Sequence, residues 1–137
     1  RSFGPVRAGW YAGPDYYTHA NGTVLAIAMI ETKQAVERID DILSVPGLDG
    51  LYVGPNDLAI TLGCAPSGTP TDKIVLDAIV AIAQAGKRHG IPAGVHCGST
   101  QMAHEMIAIG YQFVTLMADN AFLAAAAKDV GVAWPAV

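Results

Sequence analysis

The run TVLAIAMI (Thr23–Ile30), followed by Glu31 and the segment TKQAVERIDDILS (Thr32–Ser44), sets the frame for the whole chain. A nearly unbroken apolar octet is what a strand buried on both faces presents; a strand with one wet face alternates. The segment after it puts Val36, Ile39 and Leu43 at helical spacing, and Pro46-Gly47 ends it. A strand followed by a helix is one βα unit.

The unit recurs downstream. Leu51–Val53 reads as a second strand, Asn56–Leu62 as a short helical turn, and Gly63 as its stop. Thr71 is the expected N-cap of a long helix running to about His89, with Ile74, Ala78, Ile82 and Ala85 as its inward stripe. Lys87, Arg88 and His89 fill its last turn and Gly90 follows, as the helix dipole and a left-handed cap prefer. Pro92–His96 is a third strand, and Thr100–Ile109 is a helix capped by Ser99 or Thr100 and closed by Gly110. Gln112–Met117 is a fourth strand and Asn120–Val130 a last, alanine-rich helix. The residues up to Gly22 read as a loop with at most a short helix around Tyr16–Ala20.

Four successive βα units imply parallel strands joined by right-handed crossovers. An open flavodoxin-like sheet is the competing architecture, but no Gly-rich phosphate loop follows the first strand. The expected fold is α/β: one domain, 1–137, forming about the second half of a (β/α)8 TIM barrel. A whole barrel typically takes roughly 250 residues, and this chain has 137, opening on Arg1 rather than Met. The expectation is that it begins inside something larger.

Composition agrees. Hydrophobic residues make up 52% of the chain and charged residues only 15%, so solvated surface is scarce. A half-barrel, or a subunit of a tight oligomer, shows this imbalance. The net charge of −4 with no basic run argues against nucleic acid as a partner. No apolar run is long enough to span a bilayer and no signal peptide opens the chain, which points to a cytoplasmic protein without a membrane partner. Cys64 and Cys97 are far apart and read as reduced thiols.

In a βα barrel, functional side chains stand where a strand gives way to its loop. Here those points carry Glu31-Thr32, Gly54-Pro55-Asn56-Asp57, His96-Cys97-Gly98-Ser99 and Ala118-Asp119-Asn120. Glu31 and Asp57 are one unit apart, on strands expected to be neighbours at about 4.8 Å. Two carboxylates so placed repel unless a hard divalent cation such as Mg²⁺ or Mn²⁺ lies between them; it keeps its other positions for water and substrate oxygens. A 2-oxo acid offers two such oxygens, and chelation stabilises its enolate. Gly54 lets backbone approach a ligand, and the amides after Pro55 can bind an anion. The same acids also fit plain helix-end roles, Glu31 in a first turn and Asp57 as a cap or turn residue.

Other residues point elsewhere. Lys33, Lys73, Lys87 and Lys128 all fall on expected helices, which leaves no strand-end lysine for a Schiff base. His96 lies near a strand end and can face the site; a packed histidine behind the site is the favoured reading. His19, His89 and His104 read as loop or surface positions, Cys97 and the Met102/Met106 pair as core, and Asp119 as a cap that can line the site. Arg1 and Arg7 flank a Gly4-Pro5 turn that can border the mouth of the site or lie on the surface.

The stretch Ile30-Glu31-Thr32, then DGLYVGPNDL (Asp49–Leu58), then Thr61-Leu62-Gly63 resembles the HpcH/HpaI aldolase family, the 4-hydroxy-2-oxoheptanedioate aldolases. That family shows an E-T motif, then D-G-x-x-x-G-P-x-D-L, then x-L-G. Tyr17 with Ala20-Asn21, and Ala93-Gly-Val-His-Cys97, fit its flanking segments less specifically. The resemblance implies a barrel of the phosphoenolpyruvate/pyruvate type that cleaves 4-hydroxy-2-oxo acids to pyruvate and an aldehyde. It implies a divalent metal (Mg²⁺, Mn²⁺ or Co²⁺) held by Glu31 and Asp57, with substrate against Gly54, Pro55, Asn56 and Asp57. It also implies a homo-oligomer, commonly a hexamer exchanging its last helix. The family's catalytic His and pyruvate-binding Arg lie in the amino-terminal half, so no catalytic residue is assignable here, and His96 and Arg7 are not their counterparts. Met29 stands where close relatives often have Gln. The rivals are a CoA-ester lyase of the citrate-lyase or malyl-CoA type, for which no basic phosphate cluster is visible, and a half-barrel fragment without turnover.

Overall fold

The computed structural model describes residues 6–133. Arg1 and the Gly4-Pro5 turn lie outside the described residues, as does the side chain of Arg7. Four strands, β1 (Ile27–Ile30), β2 (Gly50–Val53), β3 (Ala93–Cys97) and β4 (Phe113–Leu116), form one parallel sheet in the order β1-β2-β3-β4. A flavodoxin-like sheet would interrupt that order. Consecutive parallel neighbours belong to half of a (β/α)8 barrel.

The helices are α1 (Val6–Ala12), α2 (Tyr16–Thr23), α3 (Lys33–Glu37), α4 (Ile39–Leu43), α5 (Pro55–Thr61), α6 (Lys73–His89), α7 (Thr100–Ile109) and α8 (Asp119–Ala133). No helix among the described residues is long and apolar enough to cross a membrane. The end signals explain several boundaries. The Ser99 hydroxyl accepts from the Met102 amide at 3.2 Å to start α7, and Gly90 and Gly110 end α6 and α7 at positive φ, 67° and 118°.

Four expectations need correction. The segment before Gly22 is mostly helical, as α1 and α2; α2 buries only Ala20, so it carries no apolar stripe that periodicity could reveal. Its last residue is Thr23, which shortens the first strand to Ile27–Ile30. The expected Thr32–Ser44 helix is two short helices that meet at Arg38, whose φ of −112° is not helical. On α6 the N-cap is Asp72 rather than Thr71, and Ile74 is 51% exposed while Val75 and Ile79 are fully buried beside Ala78, Ile82 and Ala85. The inward arc is centred one position further along than the expected stripe.

The sheet is covered on one face and open on the other. Ile30, Leu51, Val53, Ala93, Val95 and Cys97 are buried against the helices. The alternate positions Ile27 and Met29 are 45% and 54% exposed. The first strand is therefore not buried on both sides within this chain: the face that a closed barrel turns inward is open here.

Two side-chain ties fix the frame. Asp49 Oδ2 accepts from the Ala26 amide at 2.7 Å, and the Asp49 amide donates to the Ala26 carbonyl at 2.9 Å, which locks the start of β1 to the entry of β2. Tyr111, buried, donates its hydroxyl to the Ile79 carbonyl at 2.8 Å, joining β4's entry to α6; burial pushes its phenol above the usual range. On the surface, Asp40 of α4 meets Arg88 at 2.9 Å and His89 at 2.8 Å on α6. These hydrogen bonds, His89's foremost, hold the Asp40 carboxyl below its usual value.

Candidate metal and substrate site

The ends of β1 and β2 meet at one shallow cavity of about 190 Å³. Glu31, Gly54, Pro55, Asn56 and Asp57 form its rim; Met29, Tyr52 and His96 form its floor. All the expected metal and substrate residues thus face one opening. Asp119 is not part of this lining; it starts α8, where its Oδ1 accepts from the Asn120 amide at 2.8 Å.

Local structure explains the placement. Glu31 follows the last residue of β1 and precedes Thr32, which caps α3 by accepting from the Ala35 amide at 3.1 Å. The side chain that continues past the strand end therefore stays at the rim. Gly54 N-caps α5, Pro55 occupies the first turn, where its missing N–H costs nothing, and Asp57 stands in that turn. The amides of Asn56 and Asp57 are of the kind a helix's first turn leaves without an intrahelical acceptor. The Gly54 amide reaches back to the Ile30 carbonyl at 3.4 Å, so the two strand ends remain side by side.

A tie that the sequence does not announce is Thr61. Its hydroxyl accepts from the Lys33 amide at 3.0 Å and lies within hydrogen-bond distance of two carbonyls, Leu58 at 3.0 Å and Glu31 at 3.4 Å. One hydroxyl thereby joins the Glu31 turn to the helix that carries Asp57.

The donor set suits a hard divalent cation. Among the described residues no group of three or more His, Cys, Asp or Glu side chains gathers to cage an ion. Two carboxylates at an open rim are what Mg²⁺-type sites use, with the remaining positions left to water and substrate. Gly54 leaves room at the rim: a Cβ there would sit 2.8 Å from Glu31 Oε2 and 3.4 Å from Glu31 Cβ. The φ of −99° would accept any residue, so what a side chain here disturbs is the position of the Glu31 carboxylate. Gly54→Ala is expected to displace the Glu31 carboxylate and weaken Mn²⁺ binding about tenfold, as losing a ligand's support typically does. Titration calorimetry checks this; unchanged affinity would show that the glycine serves only the backbone.

Cys97 is not a nucleophile in this arrangement. It is fully buried on the helix side of the sheet, and burial pushes its thiol up, away from the thiolate that reactivity needs. Met102 and Met106 are core, as expected. His19 is paired with Asp15 at 3.6 Å, His89 lies in the last turn of α6 beside Asp40, and His104 is exposed. His96 lines the cavity itself, which matches the site-facing alternative rather than the favoured packed one.

Comparison with known proteins places this geometry. The family model described as HpcH/HpaI aldolase/citrate lyase matches residues 6–126. The chain is 43% identical over 130 residues to a hydroxypyruvate/pyruvate aldolase of Rhizorhabdus wittichii, covering 95% of this chain and 52% of that protein. It is 35% identical over 121 residues to a 4-hydroxy-2-oxo-heptane-1,7-dioate aldolase of Shigella sonnei, covering 87% and 45%. The fold is similar to the crystal structure of an HpcH/HpaI aldolase/citrate lyase family protein from Burkholderia cenocepacia, with a TM-score of 0.75 and 33% identity over 95% of this chain and 50% of that one. The chain thus spans about half the length of the relatives it matches.

Proposed function

Because the chain belongs to the HpcH/HpaI aldolase/citrate lyase family, we propose that the protein carrying it is a divalent-metal-dependent carbon–carbon lyase that cleaves 4-hydroxy-2-oxo acids to pyruvate and an aldehyde. The observation that carries this reading is the opening of Glu31 and Asp57 into one cavity, with Gly54 leaving the space that the Glu31 carboxylate occupies.

Glu31 and Asp57 are the groups that would hold the cation. When bound, a divalent cation supplies Lewis-acid stabilisation of the charge that develops on the ketone oxygen of a 2-oxo acid. The rest falls to the chain. The amides of Asn56 and Asp57 offer donors for the substrate carboxylate. Met29 and Tyr52 give the floor an apolar part that sheds water around the scissile bond. Among the described residues no lysine lines the cavity, which supports the metal route over a Schiff base. Among the described residues no arginine lines it either. The base and the remaining substrate contacts are assigned to residues outside this chain.

Exposed Phe122, Leu123 and Val130 on α8 support assembly into a homo-oligomer through that helix.

The test is pyruvate release from a 4-hydroxy-2-oxo acid by the intact protein. Stripping with EDTA is expected to lower the rate at least about a hundredfold, on the scale of losing one charge-stabilising group, and Mg²⁺, Mn²⁺ or Co²⁺ is expected to restore it. Full activity in EDTA would refute the metal route.

A further inference from the structure

Tyr52, His96 and Thr115 form a polar cluster on the open face of the sheet, beside the acid pair. His96 Nδ1 lies 3.0 Å from Thr115 Oγ1 and 3.4 Å from the Tyr52 hydroxyl, and the two hydroxyls are in contact with each other. Tyr52 is braced in turn, its ring stacked on Phe113 at 5.6 Å and 19°. Such a chain of hydroxyls has a preferred direction: the more acidic phenol donates to the alcohol, and the alcohol to the imidazole. Nδ1 accepts along this chain in the tautomer that carries its proton on Nε2.

The register says what this proton can reach. β1, β2 and β3 are successive parallel strands, so His96 sits one strand beyond Asp57's strand and two beyond Glu31's. At about 4.8 Å per strand, the third strand lies within reach of the far end of a 2-oxo acid anchored between the first two. His96 and Tyr52 line that same cavity.

We propose that His96 is a specificity-determining residue, fixed through Nδ1 by Thr115 and Tyr52, whose Nε2–H donates a hydrogen bond to an oxygen substituent on the aldehyde half of the substrate. This rests on the aldolase reading above. His96 selects aldehydes that bear a hydroxyl or carboxylate over plain alkyl aldehydes.

The experiment compares two 4-hydroxy-2-oxo acids in the intact protein, one releasing a hydroxyaldehyde and one an alkyl aldehyde, with the wild type, His96→Phe and His96→Gln. The expected result is about a tenfold fall in kcat/KM for His96→Phe on the oxygenated acid, mostly through KM, as for one hydrogen bond lost. The alkyl acid should change less than about threefold, and the glutamine amide should recover part of the loss. In parallel, ¹⁵N spectra of the imidazole, recorded with EDTA present, should show the Nε2–H tautomer and a shift of Nε2 on adding the hydroxyaldehyde alone. Equal losses on both acids, no loss on either, or a proton on Nδ1 would overturn the role of His96 while leaving the lyase reading intact. A wild type that cleaves neither acid overturns both.

Discussion

Glu31→Ala in the intact protein should lower metal-dependent pyruvate release on the order of a thousandfold, equivalent to about 4 kcal/mol of barrier. The substitution removes one of two carboxylates from the rim, and Asp57 alone holds a divalent ion poorly against water. The loss is expected to be chemical, not structural. Glu31 is half-buried, and among the described residues no side-chain hydrogen bond holds its carboxylate. Its replacement should therefore move stability by no more than about 0.5 kcal/mol. Glu31→Asp, which keeps the charge but withdraws it by one methylene, should retain more activity than Glu31→Gln, which keeps the shape but not the charge. Steady-state kinetics at several Mn²⁺ concentrations, beside thermal melts, separate these effects. Activity that survives Glu31→Ala and EDTA together would leave the acid pair without a function.

The second large effect concerns the sheet beneath the site. Tyr52, Gly94 and Phe113 are register partners on three adjacent strands. The Phe113 ring leans across the empty position at Gly94 to stack on Tyr52. A Cβ at Gly94 would lie 2.1 Å from Phe113 Cζ, with the two Cε atoms at 2.2 and 2.5 Å. Gly94→Ala must therefore expel the ring. Losing the stack costs about 0.5–1.5 kcal/mol, and the forced rotamer and backbone shift bring the total to about 2–3 kcal/mol. For a chain of this size the expected fall in Tm is about 5–10 °C. The double variant Gly94→Ala/Phe113→Leu should recover part of the loss, because the two changes act on one contact. Strictly additive melts would mean that the ring does not need the gap. The same variant loosens Tyr52, and with it the hydroxyls that fix His96.

Much of the barrel could be read from local signals. The helix α7 lies where Ser99 and Gly110 predict it, and α6 ends where Gly90 predicts it, because caps act within a few residues of the ends they close. The rim positions of Glu31 and Asp57 followed from the order of strands and loops alone. The amino-terminal helices were not legible, since α2 buries one residue and has no stripe to detect. The break at Arg38 was hidden for the opposite reason: the helical spacing of Val36, Ile39 and Leu43 persists across it.

Other features arise only when the chain folds. Ile27 and Met29 are as apolar as Ala28 and Ile30, so composition cannot say which face the helices cover; packing decides it. Thr61 meets Lys33 across 28 positions, and Tyr52 meets His96 across 44 and Thr115 across 63. The amino-acid order fixes which elements form and which acids stand at strand ends, through interactions a few residues long. Strand register alone brings distant hydroxyls, rings and carboxylates to one cavity, because it pairs residues that share no local pattern.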